Sequence, residues 1–73
     1  MTTPQKIAKY CLLQGANRID ENLEDAYNHI LMAKHCLNGD LTMAHRLNVF
    51  VKDSMIDKWM SEWYLETIKQ ELQ

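Results

Sequence analysis

Residues 23–37 read LEDAYNHILMAKHCL and carry the clearest periodic pattern in the chain. One set of side chains recurs at intervals of three and four positions, which is the spacing of one face of an α-helix. The members of this face are Leu23, Ala26, Tyr27, Ile30, Leu31, Lys34 and Leu37. The segment predicts a helix that is capped by Asn17 or Asp20, ends at Asn38-Gly39 and turns this face toward the core.

The residues before this segment predict a first helix from about Pro4 to Gln14. Thr3 supplies a hydroxyl cap, and proline is well tolerated at the first helical position. Gly15 is expected to be the left-handed residue that ends the helix. The expected inward side chains are Ile7, Tyr10, Cys11 and Leu12 or Leu13.

Two more helices are predicted after residue 40. The third is capped by Asp40 or Thr42, and its expected inward side chains are Met43, Ala44, Leu47, Phe50 and Val51. Lys52-Asp53-Ser54 is interpreted as a break rather than a solvated part of one long helix, because Asp and Ser compete with helical hydrogen bonds. The last helix then runs from about Ser54 to Leu72. With no strand-period run in the chain, we predict one all-α domain over residues 1–73, a small bundle of three or four short helices.

Length and charge narrow the class of function. A chain of 73 residues can build one thin core but cannot also enclose a deep substrate pocket, which disfavours most enzymes. Its net charge of −2 gives no basic excess for holding phosphates, so direct nucleic-acid binding is not expected. No stretch resembles a signal peptide or a membrane span, and we expect a cytoplasmic protein without membrane contact.

No motif for catalysis or metal binding stands out. The three His and two Cys of the chain include only one adjacent pair, His35-Cys36, and neighbours in sequence lie on different faces of a helix. We therefore predict no metal and no cofactor, and we interpret Cys11 and Cys36 as reduced, partly buried thiols. No catalytic residue is assigned, and the chain is predicted not to be an enzyme.

The last helix carries more apolar surface than one core face needs. Its large side chains from Met55 to Tyr64 span about 180° of the helix, whereas a core face takes about 100°. Either several helices surround it, or one edge binds another protein, since aromatic, Met and Arg side chains are enriched at interface centres. The predicted partner-binding residues are Arg46, Phe50, Lys52, Lys58, Trp59, Met60, Trp63 and Tyr64. The cations among them would steer the chain toward an acidic surface, and Lys58 can also pair with Glu62.

Two alternatives use the same region. Residues 44–49, AHRLNV, followed by Ile56 and Trp59, resemble a DNA-binding helix-turn-helix. Its connection is about two residues too long, and Asp53 and Asp57 would lie where phosphates bind. The other alternative is a structural module that self-associates through its tryptophan face.

In its size, mixed charge and lack of enzyme motifs, and with Phe50, Lys52, Trp59 and Trp63 in its second half, the chain resembles small phage-encoded host-takeover proteins. These include transcription inhibitors that bind bacterial RNA polymerase. The resemblance implies a host polymerase as partner, interference with promoter initiation and an effect on termination. It assigns no residue roles. Such a protein would act in the host cytoplasm as a monomer or weak dimer.

Overall fold

The computed structural model describes residues 1–72, which form four α-helices and no strand. These are α1 (Thr3–Arg18), α2 (Leu23–Leu37), α3 (Leu41–Val51) and α4 (Ser54–Leu72). The prediction of a small all-α bundle is confirmed, as is the break between the last two helices. Across residues 1–72, no helix has both the length and the apolar character needed to cross a membrane.

The four helices surround one core, and each of them contacts two others. α1 and α2 pack along most of their length, α2 also contacts α3, and α1 also contacts α4. The contact between α3 and α4 is the least extensive, and the molecule is elongated, 45 × 22 × 19 Å. The core side chains are Ile7, Ala8, Cys11, Met32, Ala33, Cys36, Ala44, Leu47, Val51, Ile56, Met60 and Trp63.

The first helix begins one residue earlier than predicted. Thr2, not Thr3, is the cap, because its hydroxyl accepts a hydrogen bond from the backbone N–H of Gln5 at 3.3 Å. The Gln5 side chain accepts one in return from the backbone N–H of Thr2 at 2.9 Å. This reciprocal pair satisfies two N–H groups that a helix start leaves without partners.

The prediction that Gly15 ends α1 is wrong. Gly15 is buried within the helix, which continues to Arg18. A Cβ atom on Gly15 would lie 2.9 Å from Cγ1 of Ile30 and 3.2 Å from the carbonyl oxygen of Ala26. The glycine therefore serves the close approach of α1 and α2 rather than a turn.

The turn between α1 and α2 is held by polar contacts. Nε of Arg18 lies 2.8 Å from a carboxylate oxygen of Asp25, across the turn. Asn22, instead of the predicted Asn17 or Asp20, caps α2 by accepting a hydrogen bond from the backbone N–H of Asp25 at 3.1 Å. Asn17 cannot cap α2, because α1 continues through it to Arg18.

The later helix boundaries follow the prediction closely. Gly39 ends α2 with a left-handed φ of 71°. Asp40 caps α3, and its carboxylate accepts a hydrogen bond from the backbone N–H of Met43 at 3.2 Å. Lys52 ends α3 with a φ of 52°, a conformation that glycine adopts more easily, and Asp53 follows as the residue before α4.

The predicted core-facing sets of α1 and α2 are right only in part, since Ile7, Cys11 and Ala26 are buried as expected. In α1 both Leu12 and Leu13 are exposed. In α2 the buried side chains are Ala26, His29, Met32, Ala33 and Cys36. Of the predicted α2 face, only Ala26 is buried and Leu31 packs against the core, whereas Leu23, Tyr27 and Leu37 are 61–70% exposed. Small side chains permit the close contact with α1, which turns the larger ones outward.

Candidate protein-binding surface

The eight residues predicted to bind a partner do not share one face. Met60 and Trp63 are core residues, with 5% and 7% of their surface exposed. Trp59 is half-buried. The exposed members are Arg46, Phe50, Lys52, Lys58 and Tyr64. A partner surface must therefore be assembled from this last group and its neighbours.

Trp59 is engaged by α1. The ring of Tyr10 meets it edge-on, with centroids 5.4 Å apart, and the ammonium of Lys6 lies 5.1 Å from the Trp59 ring centroid. Nζ of Lys6 is also 3.8 Å from a carboxylate oxygen of Glu62. Glu62 therefore pairs with Lys6 of α1, and the predicted pair with Lys58 is not formed. These contacts explain the extra apolar width of α4 as packing against α1.

The start of α4 is fixed by one carboxylate. The hydroxyl of Tyr10 donates a hydrogen bond of 2.8 Å to Oδ2 of Asp53. Oδ1 of Asp53 accepts from the backbone N–H of Met55 at 2.9 Å and of Ile56 at 3.3 Å. The bond to Asp53, together with desolvation, raises the pKa of Tyr10 above its ordinary value.

An open groove of about 750 Å³ lies between α3 and α4, the pair of helices with the least extensive contact. Its lining residues are His45, Asn48, Asp57, Met60, Ser61, Tyr64 and Leu65. Tyr64 and Leu65 are 56% and 58% exposed, so the groove presents an aromatic and an aliphatic side chain to solvent. Sequence reasoning found Tyr64 and missed Leu65, although a leucine beside the aromatic cluster was visible in the sequence.

The other end of the groove is polar. Nδ2 of Asn48 donates a hydrogen bond of 2.6 Å to a carboxylate oxygen of Asp57, which joins α3 to α4. Oδ1 of Asn48 is buried and has no hydrogen-bond partner among residues 1–72. The opposite amide orientation would place that oxygen against the carboxylate, so the observed one is favoured. This bond sets the spacing of the two groove walls.

Phe50 belongs to a different surface. It was predicted to point inward, but it is 65% exposed because the buried face of α3 is formed by Ala44, Leu47 and Val51. Phe50 lines a small hollow with residues at the start of α2, including Asn22 and Asn28. It is therefore separate from the groove that contains Tyr64.

The cysteines and His29 are internal. Cys11 and Cys36 are free thiols in the core, and burial raises the pKa of each to about 12. His29 is only 1% exposed, and its Nδ1 lies 2.7 Å from the carbonyl oxygen of Asp25. Within residues 1–72 no three His, Cys, Asp or Glu side chains are placed to hold one metal ion.

Comparison with protein-family models, with curated proteins and with solved structures finds no match for this chain. The groove and the exposed side chains are therefore the basis for inferring what the molecule binds.

Proposed function

We propose that this chain is a small protein-binding inhibitor that docks through the groove between α3 and α4 and blocks its partner sterically. The observation that carries the proposal is the open groove of about 750 Å³ with Tyr64 and Leu65 exposed on its wall. An apolar groove between two helices is the form that receives an amphipathic helix of a partner. A tyrosine on its wall suits an anchor, since aromatic side chains dominate interface energetics.

The exposed part of α4 extends this surface beyond the groove. Leu65, Ile68 and Leu72 recur at intervals of three and four residues, and they are 58%, 36% and 82% exposed. Residues at these intervals lie on one side of a helix. A partner helix seated in the groove could therefore continue along the second half of α4.

The polar residues of the proposed interface have a secondary role. Arg46 and Lys58 are exposed on α3 and α4, and each directly follows a groove-lining residue, His45 and Asp57 respectively. Exposed cations increase the rate of association with an acidic surface more than they increase final affinity. We therefore assign binding energy to Tyr64 and Leu65 and steering to Arg46 and Lys58.

The proposed partner is bacterial RNA polymerase, and the proposed effect is a block of transcription initiation that extends to termination. This part of the proposal is supported by the resemblance to small phage-encoded host-takeover proteins. Phage origin, action in the host cytoplasm and inhibition without catalysis or a cofactor belong to the same proposal.

The test is binding of purified bacterial RNA polymerase, combined with transcription from a promoter template in vitro. Tyr64→Ala and Leu65→Ala are each expected to weaken binding about tenfold or more and to relieve inhibition equally. Phe50→Ala is the matched control, because it removes an exposed aromatic side chain outside the groove. Circular dichroism should show the same helix content for all variants.

Three outcomes would contradict the proposal. Full-strength binding by both groove variants would exclude the groove, and absence of binding by the parent chain would exclude polymerase. Titration of a duplex DNA at several salt concentrations tests the helix-turn-helix alternative. Tight binding with steep salt dependence would favour that alternative, even though Asp53 and Asp57 lie at the start of α4.

A further inference from the structure

The exposed side of α2 carries large side chains at regular intervals, and these side chains are not part of the core. Leu23, Tyr27, Ile30, Lys34 and Leu37 follow one another at intervals of four, three, four and three residues. Strict alternation of this kind is the seam of a two-helix coiled coil. Leu23 is 70% exposed, Tyr27 and Leu37 are each 61% exposed, and Ile30 is 40% exposed. The seam therefore lies open along the whole length of α2.

α1 widens this seam into a face. Leu12 and Ile19 are 45% and 49% exposed, and their helical positions place them on the same side of the α1–α2 pair as the seam. Contact of Ile30 with Gly15 keeps the two helices close together, so no ridge separates them. The resulting outer face consists of Leu12, Ile19, Leu23, Tyr27, Ile30 and Leu37. A contiguous apolar face of this kind marks an interaction surface.

The charges at the ends of α2 indicate what covers the outer face. Asp20 and Glu21 lie in the turn just before α2, Glu24 lies in its first turn, and Lys34 lies in its last turn. Neither Glu24 nor Lys34 has an ion-pair partner among residues 1–72. When two α2 helices run antiparallel, Lys34 of each comes beside the acidic start of the other. A parallel arrangement would instead bring like charges together.

We propose that two copies of this chain form a dimer through the outer face, with their α2 helices antiparallel. Ile30 is the midpoint between Leu23 and Leu37, so the two-fold axis passes beside it and each Leu23 packs near the second copy's Leu37. The stem of Lys34 then covers the second copy's Tyr27, while its ammonium reaches the acidic helix start. None of the outer-face residues lines the groove between α3 and α4, so the groove stays accessible in the dimer.

The first test is the mass of the purified chain by sedimentation equilibrium from micromolar to millimolar concentration. The parent chain is expected to approach twice 8.6 kDa. Tyr27→Glu should weaken dimerisation about thirtyfold or more, the loss typical of a central interface residue. Tyr64→Glu is the matched control, since Tyr64 is 56% exposed but lies in the groove, and it should leave the dimer intact. Unchanged helix content shows that each variant is folded.

The second test measures the orientation of the helices. Under diamide, which accepts the two hydrogens released by a thiol pair, Ile30→Cys should form a disulfide with its copy at the two-fold axis. Leu23→Cys should not, because an antiparallel pair places the two Leu23 positions about 21 Å apart. A parent chain that stays monomeric at millimolar concentration, or a dimer lost with Tyr64→Glu but kept with Tyr27→Glu, would overturn the proposal. Equal crosslinking of both cysteine variants would overturn the antiparallel arrangement.

Discussion

The hydroxyl of Tyr10 in α1 donates a hydrogen bond of 2.8 Å to Oδ2 of Asp53, the residue directly before α4. The other oxygen of Asp53 accepts from the backbone N–H of Met55 and of Ile56. A single carboxylate thus caps α4 and ties its start to α1. Since the ring of Tyr10 also packs edge-on against Trp59, this bond helps to orient α4 and with it the groove wall that carries Tyr64.

Tyr10→Phe should lower the free energy of unfolding by about 1 kcal/mol, since a hydrogen bond to a carboxylate is lost while the ring packing is kept. Urea denaturation followed by circular dichroism measures the change. Tyr64→Phe is the control. Tyr64 is exposed, and this substitution removes its hydroxyl without breaking a hydrogen bond seen among residues 1–72. Equal stability of parent and Tyr10→Phe would show that the bond contributes nothing.

The same bond should be visible in the titration of Tyr10. The hydrogen bond to Asp53, followed by desolvation, raises the pKa of Tyr10 above the ordinary 10.0. The native state therefore holds this proton more tightly than the unfolded chain does. The resulting stabilisation is complete below pH 10.0 and is lost as the pH rises through the native pKa. Tyrosinate absorbance, with Tyr10→Phe as the reference, should show a lower pKa for Tyr10 in Asp53→Asn.

The two cysteines should behave as structural thiols. Burial raises the pKa of Cys11 and Cys36 from 9.0 to about 12, so almost no thiolate is present at neutral pH. We expect a disulfide reagent such as DTNB to react only as fast as the chain unfolds, and the rate to increase with urea. Because the unfolded chain loses these protons first, stability should also fall as the pH rises above 9.0. Rapid reaction of the folded protein at neutral pH would contradict the burial of both thiols.

Lys52 adopts a backbone conformation that suits glycine. Its φ of 52° lies in the left-handed region, so Lys52→Gly should raise the free energy of unfolding by about 0.5–1 kcal/mol. Lys58→Gly makes the same replacement inside α4 and should lower it by about 1 kcal/mol. Thermal unfolding of both variants compares the two effects. A loss of stability in both would mean that the Lys52 side chain contributes more than its backbone strain costs.

Local chemistry explains which parts of the fold could be predicted from the sequence. Asp40 as a cap, Gly39 as a helix end and the break at Lys52-Asp53 depend on residues within a few positions of each other. The role of Gly15 could not be predicted in this way. The atoms that require a glycine there belong to Ala26 and Ile30 of another helix, so only the tertiary structure distinguishes close packing from a turn.

The candidate site was predicted in part for a related reason. Aromatic composition pointed to Tyr64, but it could not separate this exposed side chain from the buried Trp63 one position earlier. That difference depends on where α1 lies. Contacts of Trp59 with Tyr10 and Lys6, far away in sequence, turn one side of α4 inward and leave the side with Tyr64 and Leu65 in solvent.

Gly15→Ala has two opposing effects on the free energy of unfolding, and the size of each is known. Alanine gains about 1 kcal/mol over glycine in helix propensity, and this gain alone would stabilise α1. The new Cβ would, however, lie 2.9 Å from Cγ1 of Ile30 and 3.2 Å from the carbonyl oxygen of Ala26, so the Ile30 side chain and the facing backbone of α2 must shift. Overpacking of this kind costs about 1–3 kcal/mol, and we expect a net loss of stability.

Asn17→Ala is the control for that comparison, because Asn17 is exposed on the same helix and its replacement changes propensity alone. It should raise the free energy of unfolding by a few tenths of a kcal/mol, the opposite sign to Gly15→Ala. Urea denaturation of the two variants gives the signs directly. If Gly15→Ala were also stabilised, the α1–α2 contact would be loose enough to admit a methyl group. The two helices would then not form the flat face that the proposed dimer requires.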